Sequence, residues 1–164
     1  MWMTPHTLAG IAIVTKIQNP VISLPLAFAS HYLLDFIPHW TTRPSFHGKE
    51  GKVLFFDFSI SLGLGLFFAF QYPFLSSEFL IIIAGAFLAN LPDGLRVPQM
   101  LKHKKTEKLQ DQHFLDSFHS KADQDVSVFN GTIFKFLEGK IWVGILTQIV
   151  IVLVCLFLIF QGLS

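Results

Sequence analysis

Ile141 to Phe160 runs for twenty residues without a charge. A helix of that length rises about 30 Å, the thickness of a bilayer's hydrocarbon core. Phe58 to Ser77 is a second uncharged twenty, with Asp57 at its leading edge. Ile17 to Leu34 gives eighteen more, and Pro20 and Pro25 start its helix near Val21. Phe79 to Pro92 gives fourteen, so this segment tilts, borrows its flanks or is re-entrant. Met1 to Thr15 is equally short, and Thr4-Pro5 reads as an N-cap followed by proline at the first helical position. Apolar residues make up 52% of the 164 and charged residues 14%, which excludes an ordinary soluble fold.

The expectation is one all-α, polytopic membrane domain of about five transmembrane or re-entrant helices, near 5–17, 21–38, 53–73, 78–93 and 141–161. A polar 94–140 loop joins the last two. In that arrangement one side receives the N-terminus, the 39–52 loop and the 94–140 loop. Eleven of the twelve Lys and Arg residues fall there, and only Lys16 lies near the other side. The positive-inside rule makes the first side cytoplasmic, with the N-terminus in and the C-terminus out. Phe114, Leu115 and Phe118, and again Phe134, Phe136 and Leu137, fit the apolar faces of short surface helices in the loop.

A net charge of +1 gives no reason to expect a nucleic-acid partner. The lone Cys155 lies in the last apolar run, so neither a disulfide framework nor a cysteine zinc site is expected. Met1 to Thr15 lacks the basic start and small-residue cleavage site of a secretory signal.

All seven histidines (His6, His31, His39, His47, His103, His113, His119) fall at segment ends or in loops on the basic side. Asp35 and Asp93 sit at segment ends there too. The sharpest local pattern is His31-x3-Asp35-x3-His39. Four-residue spacing puts His31 and Asp35 on one helical face, while Pro38 ends or bends the helix before His39. Imidazole and carboxylate one turn apart suit a divalent metal. An ionisable group left unpaired at mid-membrane costs about 3 kcal/mol, so both require partners. A structural His–Asp hydrogen bond between helices meets that requirement equally well. His6 shares the face of Asp35 and His39. Asp93, in Leu91-Pro92-Asp93-Gly94, reads as a metal ligand or as a C-terminal turn residue. Asp57 reads as a carboxylate orienting a liganding histidine or as a solvated acid at a helix start. Thr147 and Gln148 are polar in an apolar span and are expected to hydrogen-bond between helices.

Thr4-Pro5-His6, Ser30-His31-Tyr32-Leu33-Leu34-Asp35 followed by Pro38-His39-Trp40, and Gly85 with Leu91-Pro92-Asp93 resemble the LexA-binding, inner-membrane-associated metal-dependent hydrolases. That family's pattern is distantly similar to zinc-dependent phospholipase C. The likeness covers about the first hundred residues plus a weak segment at His119. It departs from the family pattern where Phe118-His119-Ser120 lacks an arginine and where Gly94-Leu95 follows Asp93. The resemblance implies a metal site of His6, His31, Asp35 and Asp93, with His39 close by.

The leading expectation is a hydrolase of the prokaryotic cytoplasmic (inner) membrane with a divalent metal at the cytoplasmic interface. Zinc comes first and manganese or iron next. His6, His31 and Asp93 would ligate it, and His39 or His119 would complete the shell. Asp35 would serve as ligand or general base, so Asp35 and His39 are the catalytic candidates. The expected partners are the lipid bilayer and an anionic lipid or phosphoester substrate, drawn by Arg43, Lys102 and Lys104. The main rival is a non-enzymatic scaffold in which the His/Asp cluster is a staple. A small transporter ranks last, because the outer halves of the spans lack titratable residues apart from Lys16 and Glu78 at the far edge.

Overall fold

A computed structural model describes residues 1–37, 39, 48–102 and 141–163. Among them are five helices and no strand: α1 (Met3–Lys16), α2 (Pro20–Asp35), α3 (Gly48–Ala69), α4 (Ser77–Lys102) and α5 (Ile141–Leu163). The polar stretch from 103 to 140, including the expected surface helices, lies outside the described residues, as do His47, His103, His113 and His119.

Among the described residues, three helices are long and apolar enough to cross a membrane, over Lys52–Ala69, Ser77–Leu95 and Trp142–Gly162. They belong to α3, α4 and α5. Their outward faces carry Phe55, Phe56 and Phe67 on α3 and Leu146, Leu153 and Phe157 on α5, all more than half exposed. Such surfaces are costly in water and ordinary in lipid.

The two short helices occupy a different place. α1 has 14 residues, about 21 Å, and every residue from Pro5 to Ala12 is buried. All four other helices pack against it. Its contact with α4 is made at glycine: a Cβ on Gly10 would stand 2.4 Å from the Gly85 oxygen, and one on Gly85 would stand 2.6 Å from Val14 Cγ1. Only residues without side chains allow two helix backbones this close, which suits bundles assembled in lipid. Leu8, Ile11, Phe68 and Ile159, each at most 1% exposed, fill the surrounding core.

Several expected boundaries change. α1 starts at Met3 with Trp2 at the cap position and no side-chain cap of its own, so Thr4-Pro5 falls inside the first turn. α2 begins at Pro20, where the Asn19 side chain accepts from Val21 N–H at 3.0 Å. It ends at Asp35 rather than 38, because a proline at 38 disfavours helical backbone at the residue before it. α3 runs from 48 to 69 rather than 53 to 73. Pro73 forbids its continuation, and Leu75 turns the chain with φ of 62°. The largest change is in α4, which continues to Lys102 through Pro92, Asp93 and Gly94. Asp93 is therefore a residue within a helix and not a turn residue at its end. Proline removes one N–H from the helical ladder, and the turns on either side carry the helix across that gap.

Candidate metal centre

Four segments meet where α1 begins. His6 stands in the first turns of α1, His31 and Asp35 on the last turn of α2, His39 just beyond it, and Asp93 on α4. His6 and His31 are fully buried, Asp35 is 2% exposed and Asp93 is half-buried at 30%. Ligand atoms of His6, His31 and Asp93 lie within 4.8 Å of one another. Tetrahedral bonds of ~2.1 Å place ligand atoms ~3.4 Å apart, so small side-chain adjustments close these three on one ion.

Asp35 reaches into the same space. Its Oδ1 is 3.3 Å from His6 Nε2, and its Oδ2 is 3.4 Å from His31 Nε2. His31 Nε2 also faces Asp93 Oδ1 at 3.7 Å. The Met1 ammonium pairs with Asp35 Oδ1 at 2.8 Å. Two carboxylates against one ammonium leave the cluster net negative when its imidazoles are neutral.

The imidazoles are oriented from behind. His31 Nδ1 lies 2.8 Å from the Ala89 carbonyl, and an oxygen there can only accept, so Nδ1 carries the proton. With Nδ1 protonated, a neutral His31 turns its Nε2 lone pair toward two carboxylates. A cation or a proton between them removes that repulsion. His39 repeats the arrangement, with Nδ1–H donating to Ile37 O at 2.7 Å and Nε2 4.0 Å from Asp35 Oδ1. A backbone carbonyl on the far ring nitrogen is how liganding histidines are usually held. Burial, and after it the neighbouring N-terminal ammonium, hold the His39 imidazole below the ordinary histidine range.

His6 differs. Both ring nitrogens are buried and neither makes a hydrogen bond among the described residues. Its ring stacks on His31, with centroids 4.1 Å apart and planes 23° from parallel. A buried imidazole with no hydrogen bond, stacked on another and facing carboxylates, fits a cation ligand.

Asp57 takes no part in this centre, which corrects both sequence readings of it. It is buried, and it caps α1 from α3: Oδ2 accepts from Met3 N–H at 2.6 Å, and Oδ1 accepts from Thr4 N–H at 3.3 Å and Thr4 Oγ1 at 2.6 Å. The positive end of the α1 dipole stabilises that carboxylate. Gln148 joins it from α5, accepting from Trp2 N–H at 3.4 Å, as an interhelical role required. Thr147 Oγ1 bonds back to Gly144 O within its own helix.

Behind His6, Asn90 Nδ2 donates to Thr7 Oγ1 at 2.7 Å, and Thr7 shares a hydrogen bond with Ser61. This α4–α1–α3 chain went unread in the sequence. The available signal was an amide within an apolar run, one helical turn before Asp93. His119 lies outside the described residues, so its place relative to the centre is not part of this geometry.

No protein-family model, curated protein or solved structure matches this chain.

Proposed function

We propose that this protein is a membrane-embedded, metal-dependent hydrolase of the prokaryotic inner membrane, acting on a phosphoester or lipid-like substrate at the cytoplasmic face. The observation that supports it is the convergence of His6, His31 and Asp93, buried or half-buried, from three helices. These three would hold the ion. A divalent metal there, zinc first and manganese or iron next, supplies a Lewis acid and lowers the pKa of bound water to about 7. Asp35, facing both histidines, is placed to accept a proton, and His39 lies behind it. Sidedness follows from the Lys/Arg count, which favours N-terminus in and C-terminus out. The basic residues on that side suit an anionic head group.

The test is elemental analysis of the detergent-purified protein beside His31→Ala and Asp93→Ala, followed by a phosphoesterase screen. Near-stoichiometric metal, lost in both variants, is expected. Metal-free protein that takes up none when supplied sinks the metal site. Metal without any hydrolysis sinks the enzyme.

A second reading, a non-enzymatic scaffold with a structural staple, is favoured by one contact. The Met1–Asp35 ion pair neutralises a buried carboxylate with no metal at all.

A further inference from the structure

α3 and α5 both pack on α1 but form no substantial interface with each other among the described residues. Between them lies a cavity of about 330 Å³, lined almost wholly by apolar side chains. Pro5 lies at its floor, Phe56 and Ile60 line it from α3, and Ile149 and Leu153 line it from α5. These four wall residues are 68%, 39%, 49% and 60% exposed, so the slot opens sideways onto the faces that the spans present to the bilayer.

Two of the buried polar side chains that line it are already engaged. Asp57 is held by Met3 and Thr4, and Gln148 by Trp2 and Gly144. The rest of the lining is almost wholly apolar, which disfavours a polar ligand, and apolar cavities stay dry. A partner helix, ~10 Å across, needs more room along this length than about 330 Å³ provides. A stable protein interface buries ~800 Å² per partner, far more than this opening offers. Along α5, Ile145 to Leu153 spans about 12 Å, close to the ~15 Å depth of a single leaflet's hydrocarbon. Left empty, the slot would forfeit dispersion contacts along its whole lining.

We propose that this slot holds one acyl chain of a membrane lipid, drawn from the leaflet at the polar end of the bundle. The site is independent of the metal centre, which lies on the α2–α4 side of α1.

The full chain is reconstituted in phosphatidylethanolamine/phosphatidylglycerol vesicles containing phosphatidylcholine with a diazirine on its acyl chain. After irradiation, adducts are mapped by mass spectrometry. Adducts are expected to concentrate at least fivefold on Phe56, Ile60, Ile149 and Leu153 over Phe55, Phe58, Leu146 and Val150. The latter are exposed on the same turns but do not line the slot. Ile149→Trp, which fills the slot, should abolish the enrichment at Phe56 and Ile60. Leu153→Phe serves the same purpose if Ile149→Trp does not fold. Even labelling of all eight positions, or enrichment that survives a filled slot, overturns the proposal.

Discussion

Toward its start, α1 meets its neighbours through His6, Thr7 and the backbone N–H groups of Met3 and Thr4. From Leu8 to Val14 it meets them through glycine, alanine and branched aliphatic side chains packed to near-zero exposure. The second half derives its stability from close backbone approach and dispersion, terms that survive in lipid, where burial of apolar surface contributes little. The first half gathers charge that lipid penalises: the Met1 ammonium pairs with Asp35, and Asp57 faces the backbone N–H groups that open α1. The packing half makes the position of the polar half reproducible.

Substitutions can separate the two halves. The largest loss of stability is expected from Gly10→Leu, whose Cβ must stand 2.4 Å from the Gly85 oxygen. Backbone cannot yield as a side-chain tip does, so a cost above ~3 kcal/mol and poor recovery of folded protein are expected. Thermal unfolding in detergent checks it, and a wild-type midpoint would refute the close-contact account. Asp57→Ala comes next. It strips the N–H groups of Met3 and Thr4 of their acceptor and should cost ~2–3 kcal/mol, with Asp57→Asn recovering part of that.

Changes at the cluster should act on metal more than on fold. Wild-type protein in zinc at a hundred times the dissociation constant gains ~2.7 kcal/mol, read as a rise in unfolding midpoint. His6→Ala and Asp93→Ala should lose most of that gain while unfolding near the metal-free wild type. Equal zinc responses in all three would place the ion elsewhere.

The smallest effect concerns pH. The folded protein holds the His39 imidazole below its unfolded range, so below the ordinary histidine value the unfolded chain binds more protons. Stability should therefore rise with pH up to that value and fall as acid protonates His39. His39→Gln should flatten this part of the profile in metal-free protein. An unchanged slope would assign it to other groups.

The apolar runs at 58–77 and 141–160 were legible because crossing a bilayer demands length and lack of charge, and both are properties of a string of residues. The pairing of His31 with Asp35 was equally legible, since a helix places residues four apart on one face whatever surrounds it. The end of α2 before Pro38 is also a local steric matter, though it fell at Asp35 itself. The end of α4 was misplaced because Pro92, Asp93 and Gly94 together read as a turn. Packing of α4 against α1 and α2 overrides that local preference and carries the helix to Lys102. Asp57 misled because its partners, Met3 and Thr4, are more than fifty residues away.

By itself, then, the sequence determined an all-helical chain with membrane-length spans and a cluster-forming set of His and Asp residues. Periodicity, hydropathy and proline sterics act over a few turns and need no knowledge of neighbours. Only the tertiary structure decided that the shortest of the described helices is the hub of the bundle. It also decided that the Ala89 carbonyl fixes the His31 tautomer, and that a carboxylate from α3 caps α1. These depend on which backbones approach closely, and that was settled by two glycines seventy-five residues apart, Gly10 and Gly85.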